Sequence, residues 1–264
     1  GDQLNFEVDQ KDVFASTGGL SFDTNKPVIV LMHGSGLTHI VWSLHEQFLA
    51  TKGYSILSVD LPGHGNSEGP AIESIEGISE WIKKSMDILK INEISFIGHS
   101  QGCLVGLEFA FRFPKLIKSL VLVGGSYELP VNPALINYAD GGDMKSVELM
   151  MKWGYEGVKK FIGGNPVQKI INSPRQVQEG LAVDLRACND YKNGIKAATN
   201  INCPTLCILG DKDKMVPIDK GKKMAENIKN SQLEVIKECG HMIIFEKAFE
   251  MREIVKNFLQ KNHK

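Results

Sequence analysis

One stretch, Ile94 to Leu104, reads I-S-F-I-G-H-S-Q-G-C-L and restricts the fold more than any other part of the chain. Ile94-Ser95-Phe96-Ile97 has the length and β-branched content of a buried strand. Gly98-His99-Ser100-Gln101-Gly102 follows at once, and Cys103 to Phe113 then carries apolar residues at helical spacing: Leu104, Leu107 and Phe111. A strand that turns through G-x-S-x-G directly into a helix is the arrangement of a nucleophile elbow. The glycines have a steric reason. On so tight a turn, side chains at 98 and 102 would meet the neighbouring strand or helix, and the serine between them is left in a strained conformation. Such a turn lifts the Ser100 hydroxyl out at the carboxyl edge of a sheet, above a helix N-terminus. The pentapeptide alone also describes a turn serine capping a helix; its flanks favour the first reading.

The same rhythm recurs on both sides. Val28–Met32 is an unbroken apolar run, as in a strand covered on both faces. Ser55–Val59, Leu120–Val123, Thr205–Leu209 and Leu233–Ile236 are further predicted strands. Residues 4–8 and 12–16 read as two short strands of an edge hairpin. Helices are predicted over 41–51, 74–90, 217–229 and 246–261; in the second, apolar residues at 75, 78, 82, 86 and 89 form one face. Strand alternating with helix predicts an α/β fold, a mostly parallel twisted sheet with helices on both faces. Between Ser126 and Asn202 the rhythm breaks. Only helical patterns remain there, at roughly 133–139, 143–153, 155–162 and 174–188. The expected organisation is a core of residues 1–125 and 203–264, with an inserted helical cap over 126–202.

Composition narrows the function classes. A chain of 264 residues is long enough to bury a full core. Its net charge is −1 with no long run of one sign, so no electrostatic footprint for nucleic acid or an anionic membrane is expected. Neither a secretory leader nor a membrane span is visible. The five cysteines, 103, 188, 203, 207 and 239, are scattered. Cys203 and Cys207 are separated by Pro204 and a strand, which argues against a metal site. Reduced thiols in a cytoplasmic protein are the expectation.

Four loops each follow a predicted strand: His33-Gly34-Ser35-Gly36, the Ser100 turn, Gly210 to Pro217, and Gly240-His241. In a parallel sheet such loops share one edge. A serine hydroxyl is a poor nucleophile near neutral pH and needs a base. A neutral imidazole suits that task, and a buried carboxylate fixes its tautomer and supports the imidazolium that forms. Ser100, Asp213 and His241 stand in the chain order of hydrolases with this elbow.

On L-M-H-G-S-G (31–36), D-L-P-G-H-G-N-S (60–67), G-H-S-Q-G (98–102), G-D-K-D-K-M-V-P (210–217) and G-H-M (240–242), the chain resembles the α/β-hydrolase superfamily. It is most similar to the small esterase, enol-lactonase and haloperoxidase-like branch with a helical cap. The resemblance implies Ser100 as nucleophile, His241 as general base and then acid, and Asp213 as the orienting carboxylate. It also implies an oxyanion hole of the backbone N–H groups of Ser35 and Gln101, with Gly36 as the alternative to Ser35. Asp213 is preferred to Asp211 because it fits the family's G-x-x-D-x-x-V-P spacing. His33, His64, His99, Asp60 and Ser67 read as residues that hold their loops. Cys103 has no neighbour that would activate it.

Methionines and aromatics between 144 and 161 fit either a cap packed on the core or an apolar lid over a substrate. Met144, Met151 and Trp153, with Met242, are the expected pocket side chains. Asp184 and Cys188, at helical i, i+4, are candidates to face it. The expected activity is cleavage of an ester or lactone of a small, largely apolar carboxylic acid through an acyl-enzyme, without metal or organic cofactor. Two alternatives stay open: a carbon–carbon bond hydrolase of ring-cleavage products, and a slow or non-catalytic ligand receptor of the same fold.

Overall fold

The computed structural model describes residues 3–156 and 164–263. Strands β1 (Gln3–Val8) and β2 (Lys11–Ser16) form an antiparallel hairpin, turned by Asp9 and Gln10 at φ 51° and 65°. This is the mirror-image two-residue turn that matches strand twist. Strands β3 (Val28–Met32), β4 (Ser55–Val59), β5 (Ile94–His99), β6 (Ile117–Val123), β7 (Thr205–Gly210) and β8 (Ser231–Ile236) are parallel, and the sheet order is β1-β2-β4-β3-β5-β6-β7-β8.

Helix α1 (Ser43–Thr51), entered through a 3₁₀ turn at His39–Trp42, joins β3 to β4, α2 (Ile75–Leu89) joins β4 to β5, and α3 (Gln101–Arg112) joins β5 to β6. Ser74 caps α2 by accepting from Gly77 N at 3.0 Å. Between β6 and β7 lie α4 (Pro133–Asp140), α5 (Lys145–Gly154), α6 (Pro166–Ile170), α7 (Pro174–Gln176), a π-helical turn (Val177–Leu181), α8 (Ala182–Asp190) and α9 (Gly194–Thr199). Helix α10 (Ile218–Asn227) precedes β8, and α11 (Ile243–Glu246) and α12 (Ala248–Asn262) follow it.

Every residue of β3, β4 and β5 is buried, which explains their unbroken apolar runs. Successive side chains serve opposite faces: Val28, Val30 and Met32 join one core with Phe96 and Leu120, while Ile29 and Leu31 join the other with Ile97 and Val121. The direction in which successive strands are added reverses about β3: β4 lies on one side of it and β5 on the other. The carboxyl ends of β3 and β5 therefore flank the crevice where ligands bind in such sheets.

Helix α9, inside the expected insertion of 126–202, packs with α3 and α10, and its Ala197 and Ala198 enter the core formed by one face of the sheet. Six residues are too few for a hydrophobic period to show which face this helix joins. Most of the helix expected over 155–162, Phe161 included, lies outside the described residues. Among the described residues, no helix is long and apolar enough to cross a membrane.

Candidate active site

Ser100 sits between β5 and α3 at φ 55° and ψ −111°. A non-glycine residue in such a conformation costs of order 1–3 kcal/mol and persists only where its surroundings enforce it. They do: a Cβ on Gly98 would lie 2.2 Å from the Gly102 carbonyl oxygen, and one on Gly102 2.6 Å from that of Met32. Strand and helix thus meet at van der Waals distance and leave the serine one position.

Nε2 of His241 lies 2.9 Å from Ser100 Oγ, and Nδ1 lies 2.8 Å from Asp213 Oδ2. Asp213 Oδ1 accepts the N–H groups of Met215 and Val216 at 2.8 and 2.9 Å. Burial pushes the Asp213 carboxyl up, but the adjacent His241 and these donors outweigh it and hold its pKa below the ordinary value. An ionised Asp213 accepts the Nδ1 proton and leaves the Nε2 lone pair facing the serine hydroxyl. Asp211 is turned away and accepts from Cys239 N at 3.2 Å, holding the loop that carries His241.

Gln101 is the first residue of α3, so its N–H is among those a helix leaves without an internal acceptor. Ser35, after β3, lies beside it: Ser35 Oγ donates to Gln101 Oε1 at 2.5 Å. The N–H of Gly36 is already engaged, donating to Asp184 Oδ2 at 2.8 Å. With that N–H engaged, Ser35 is the donor carried into the proposed function.

Most of the remaining polar residues of these loops are satisfied locally, while His99 Nδ1 and Gln101 Nε2 are buried without a hydrogen-bond partner among the described residues. His33 presents Nδ1 to Gly34 O at 2.9 Å and accepts from Leu61 N at 3.2 Å; burial and the nearby His64 lower its pKa to about 4, so it is neutral. Asp60 accepts from the His39 backbone and ring and from Asn66, and Ser67 Oγ donates to Asp60 O. The Cys103 thiol is buried and its pKa is pushed well up by that burial. Among the described residues, no group of three or more His, Cys, Asp or Glu side chains is placed to hold a metal ion.

A cavity of about 430 Å³ opens over Ser100 and His241. Its walls are mostly apolar: Leu37, Leu129, Val131, Leu135, Met150, Trp153, Leu185, Met215 and Met242. Of the four side chains expected there, Trp153 and Met242 line it. Met144 and Met151 do not, and instead pack against the core from α5 and its cap. The reason is helical phase: Met150 and Trp153, three apart, share one face, and Met151 is turned roughly 100° from Met150. Cys188 lines the cavity, whereas Asp184 is buried beside it against Gly36 and His64. At the rim stand Lys214, which is exposed and has no ion-pair partner among the described residues, and Lys220, which pairs with Glu128 at 2.8 Å. No sequence pattern marked these three.

An eight-stranded, mostly parallel sheet with a strained serine after its central strand is the architecture of the α/β hydrolases. The chain belongs to the alpha/beta hydrolase family, whose model matches residues 29–254. It is 27% identical over 254 residues to a 2-hydroxy-6-oxononadienedioate/2-hydroxy-6-oxononatrienedioate hydrolase of a Pseudomonas species, an alignment spanning 88% of this chain and 87% of that protein. An enol-lactonase from Burkholderia xenovorans LB400 superposes with a TM-score of 0.86 at 22% identity, over 97% of this chain and all of that one. A thermophilic esterase superposes at 0.81 with 26% identity, over 98% and 97%.

Proposed function

We propose that this protein is a serine hydrolase that cleaves an ester or lactone of a small, largely apolar carboxylic acid. The observation that carries the reading is the unbroken line Asp213–His241–Ser100, with contacts of 2.8 and 2.9 Å, at the floor of a mostly apolar cavity. His241 takes the Ser100 proton as Oγ attacks the substrate carbonyl. The N–H groups of Ser35 and Gln101 receive the developing oxyanion, a contribution of roughly 10²–10³ in rate per donor. Collapse of the tetrahedral intermediate leaves an acyl group on Ser100, and His241 passes its proton to the departing oxygen. Water, deprotonated by the same imidazole, then releases the acid. Helices α4 to α8 act as the cap that sets substrate size. A cytoplasmic setting accompanies this reading, given five free thiols.

The test is hydrolysis of a p-nitrophenyl ester series, from acetate upward, by the parent and by Ser100→Ala. Turnover by the parent and its loss by roughly 10⁶ in the variant are expected. Equal activity in both would remove Ser100 from the mechanism.

A second reading, carbon–carbon hydrolysis, draws on the name of the Pseudomonas relative and on Lys214 and Lys220 at the rim, where carboxylates of a dienedioate would find cations. Turnover of such a dienedioate with a higher kcat/KM than any ester in the series would favour it.

A further inference from the structure

Ser35 lies between two pinned peptide groups. On one side the Gly34 carbonyl oxygen accepts from His33 Nδ1 at 2.9 Å and from Leu37 N at 3.2 Å, both residues of the same loop. Because the peptide is planar and trans, this also fixes the direction of the Ser35 N–H. On the other side the Gly36 N–H is held by Asp184 Oδ2 at 2.8 Å, from α8, 148 residues further along the chain. Gly36 has a φ of 71°, and a Cβ there would lie 3.0 Å from Leu181 Cβ, so the π-helical turn before α8 rests directly on this residue. One turn beyond Asp184, Cys188 Sγ lies 3.6 Å from both Ser35 Oγ and Gln101 Oε1. One helix therefore touches the side chains of both residues whose N–H groups face the oxyanion.

Asp184 Oδ2 also meets His64 Nε2 at 2.7 Å. His64 Nδ1 faces Pro62 O at 3.0 Å, so both ring nitrogens point at acceptors, an arrangement that favours the doubly protonated ring. Burial opposes that charge, but the Asp184 carboxylate outweighs it and holds the His64 pKa above the ordinary value. His64 and Asp184 are 5% and 1% exposed. A buried ion pair of this kind is poor evidence of a stabilising device, since apolar residues of the same volume often do as well or better. What an apolar pair lacks is an acceptor for Gly36.

We propose that Asp184, charge-paired with His64, is a positioning residue that holds the Ser35–Gly36 peptide and so keeps Ser35, whose N–H the Gly34 peptide directs, seated toward the oxyanion, so that α8 completes the site from outside the sheet. The inference rests on Ser100 being the nucleophile. Seating of α8 and formation of the oxyanion donor are then one event.

The experiment measures kcat and KM on a p-nitrophenyl ester, per serine titrated to completion with a fluorophosphonate, so that misfolded protein does not enter. The variants are Asp184→Ala, Asp184→Asn and the apolar pair Asp184→Leu/His64→Leu. Asp184→Ala and the apolar pair are expected to lose kcat at least tenfold with KM within twofold. Asp184→Asn, whose amide oxygen still accepts from Gly36, recovers part of the loss. The apolar pair retains the parent's melting temperature within a few degrees, which separates rate from stability. A kcat within twofold of the parent in the apolar pair would overturn the proposal, and that variant decides the matter if Asp184→Ala does not fold. Ser100→Ala run alongside shows which reading has failed: if it keeps turnover, the nucleophile is wrong; if it is inert, only the positioning role is.

Discussion

His99 Nε2 lies 2.8 Å from the carbonyl oxygen of His241, and the two rings are 4.9 Å apart. The residue before the turn serine thus holds the backbone of the residue whose ring meets that serine. Burial and the neighbouring His241 lower the His99 pKa to about 3, so it is a neutral donor at Nε2. His99→Phe fills the space and leaves the His241 carbonyl without its donor, at a cost of about 1–3 kcal/mol in stability. We expect kcat to fall about tenfold or more as His241 drifts from Ser100. Steady-state kinetics beside thermal denaturation test this; a kcat unchanged in a destabilised variant would confine His99 to packing.

Buried imidazoles make folding sensitive to acid, His33, His45 and His99 most strongly. The pKa values of His33 and His45 are lowered to about 4 and that of His99 to about 3, in each case chiefly by burial. Below the ordinary value of about 6.5 the unfolded chain takes up protons that the folded chain refuses, so stability falls with pH until each folded pKa is reached. Each group contributes about 1.4 kcal/mol per pH unit within its window. His64, with a raised pKa, runs oppositely: its contribution is complete below about 6.5 and is lost as pH rises through its folded value. Asp213, with a lowered pKa, adds acid sensitivity only below the ordinary carboxylate range. The urea midpoint should therefore drop steeply between pH 6.5 and 5. His45→Gln, which keeps a donor near the Ile244 carbonyl, should flatten the slope. A midpoint constant across that range would count against the buried, neutral assignment.

Trp153 walls the cavity and Met151 does not. Trp153→Ala should shift the optimal p-nitrophenyl ester toward longer acyl chains, raising kcat/KM for these relative to acetate about tenfold. Met151→Ala should leave the order of preference unchanged and lower only the melting temperature. If the two variants shift chain-length preference alike, the orientation of α5 is wrong.

All five thiols are free, and only Cys203 is more than slightly exposed. Burial raises the Cys203 pKa to about 11 and that of Cys188 to about 12. Iodoacetamide on the native protein should label Cys203 first and slowly, and all five in urea, as peptide mass mapping would report. Labelling of Cys188 as fast as Cys203 would mean that α8 lifts from Ser35 and Gln101 in the resting protein.

The edge hairpin, the central strands, the Ser100 turn and the chain order of the loops were readable because each has a local cause. Buried strands need runs such as Val28–Met32, and the turn at Ser100 admits only glycine at 98 and 102. The lining of the cavity was half readable: Trp153 and Met242 face it, while Met144 and Met151 were read from residue type, which carries no helical phase. Likewise α9, over which the sequence shows no helical pattern, packs with α3 and α10.

From sequence alone came an α/β sheet with a strained serine at its carboxyl edge and an imidazole and a carboxylate on later loops of that edge. These follow from burial periodicity and glycine sterics, which act within a few residues. Tertiary structure alone decided that the Gly36 N–H is occupied, because its acceptor is Asp184, which reaches the loop only when α8 packs on it. It also set the His64 ring between two acceptors, Pro62 O and Asp184 Oδ2, the second of which comes from α8, and the Asp184 carboxylate holds the His64 pKa above its ordinary value. Contacts of that kind depend on how whole elements are rotated and seated against one another, and no short stretch of sequence encodes that.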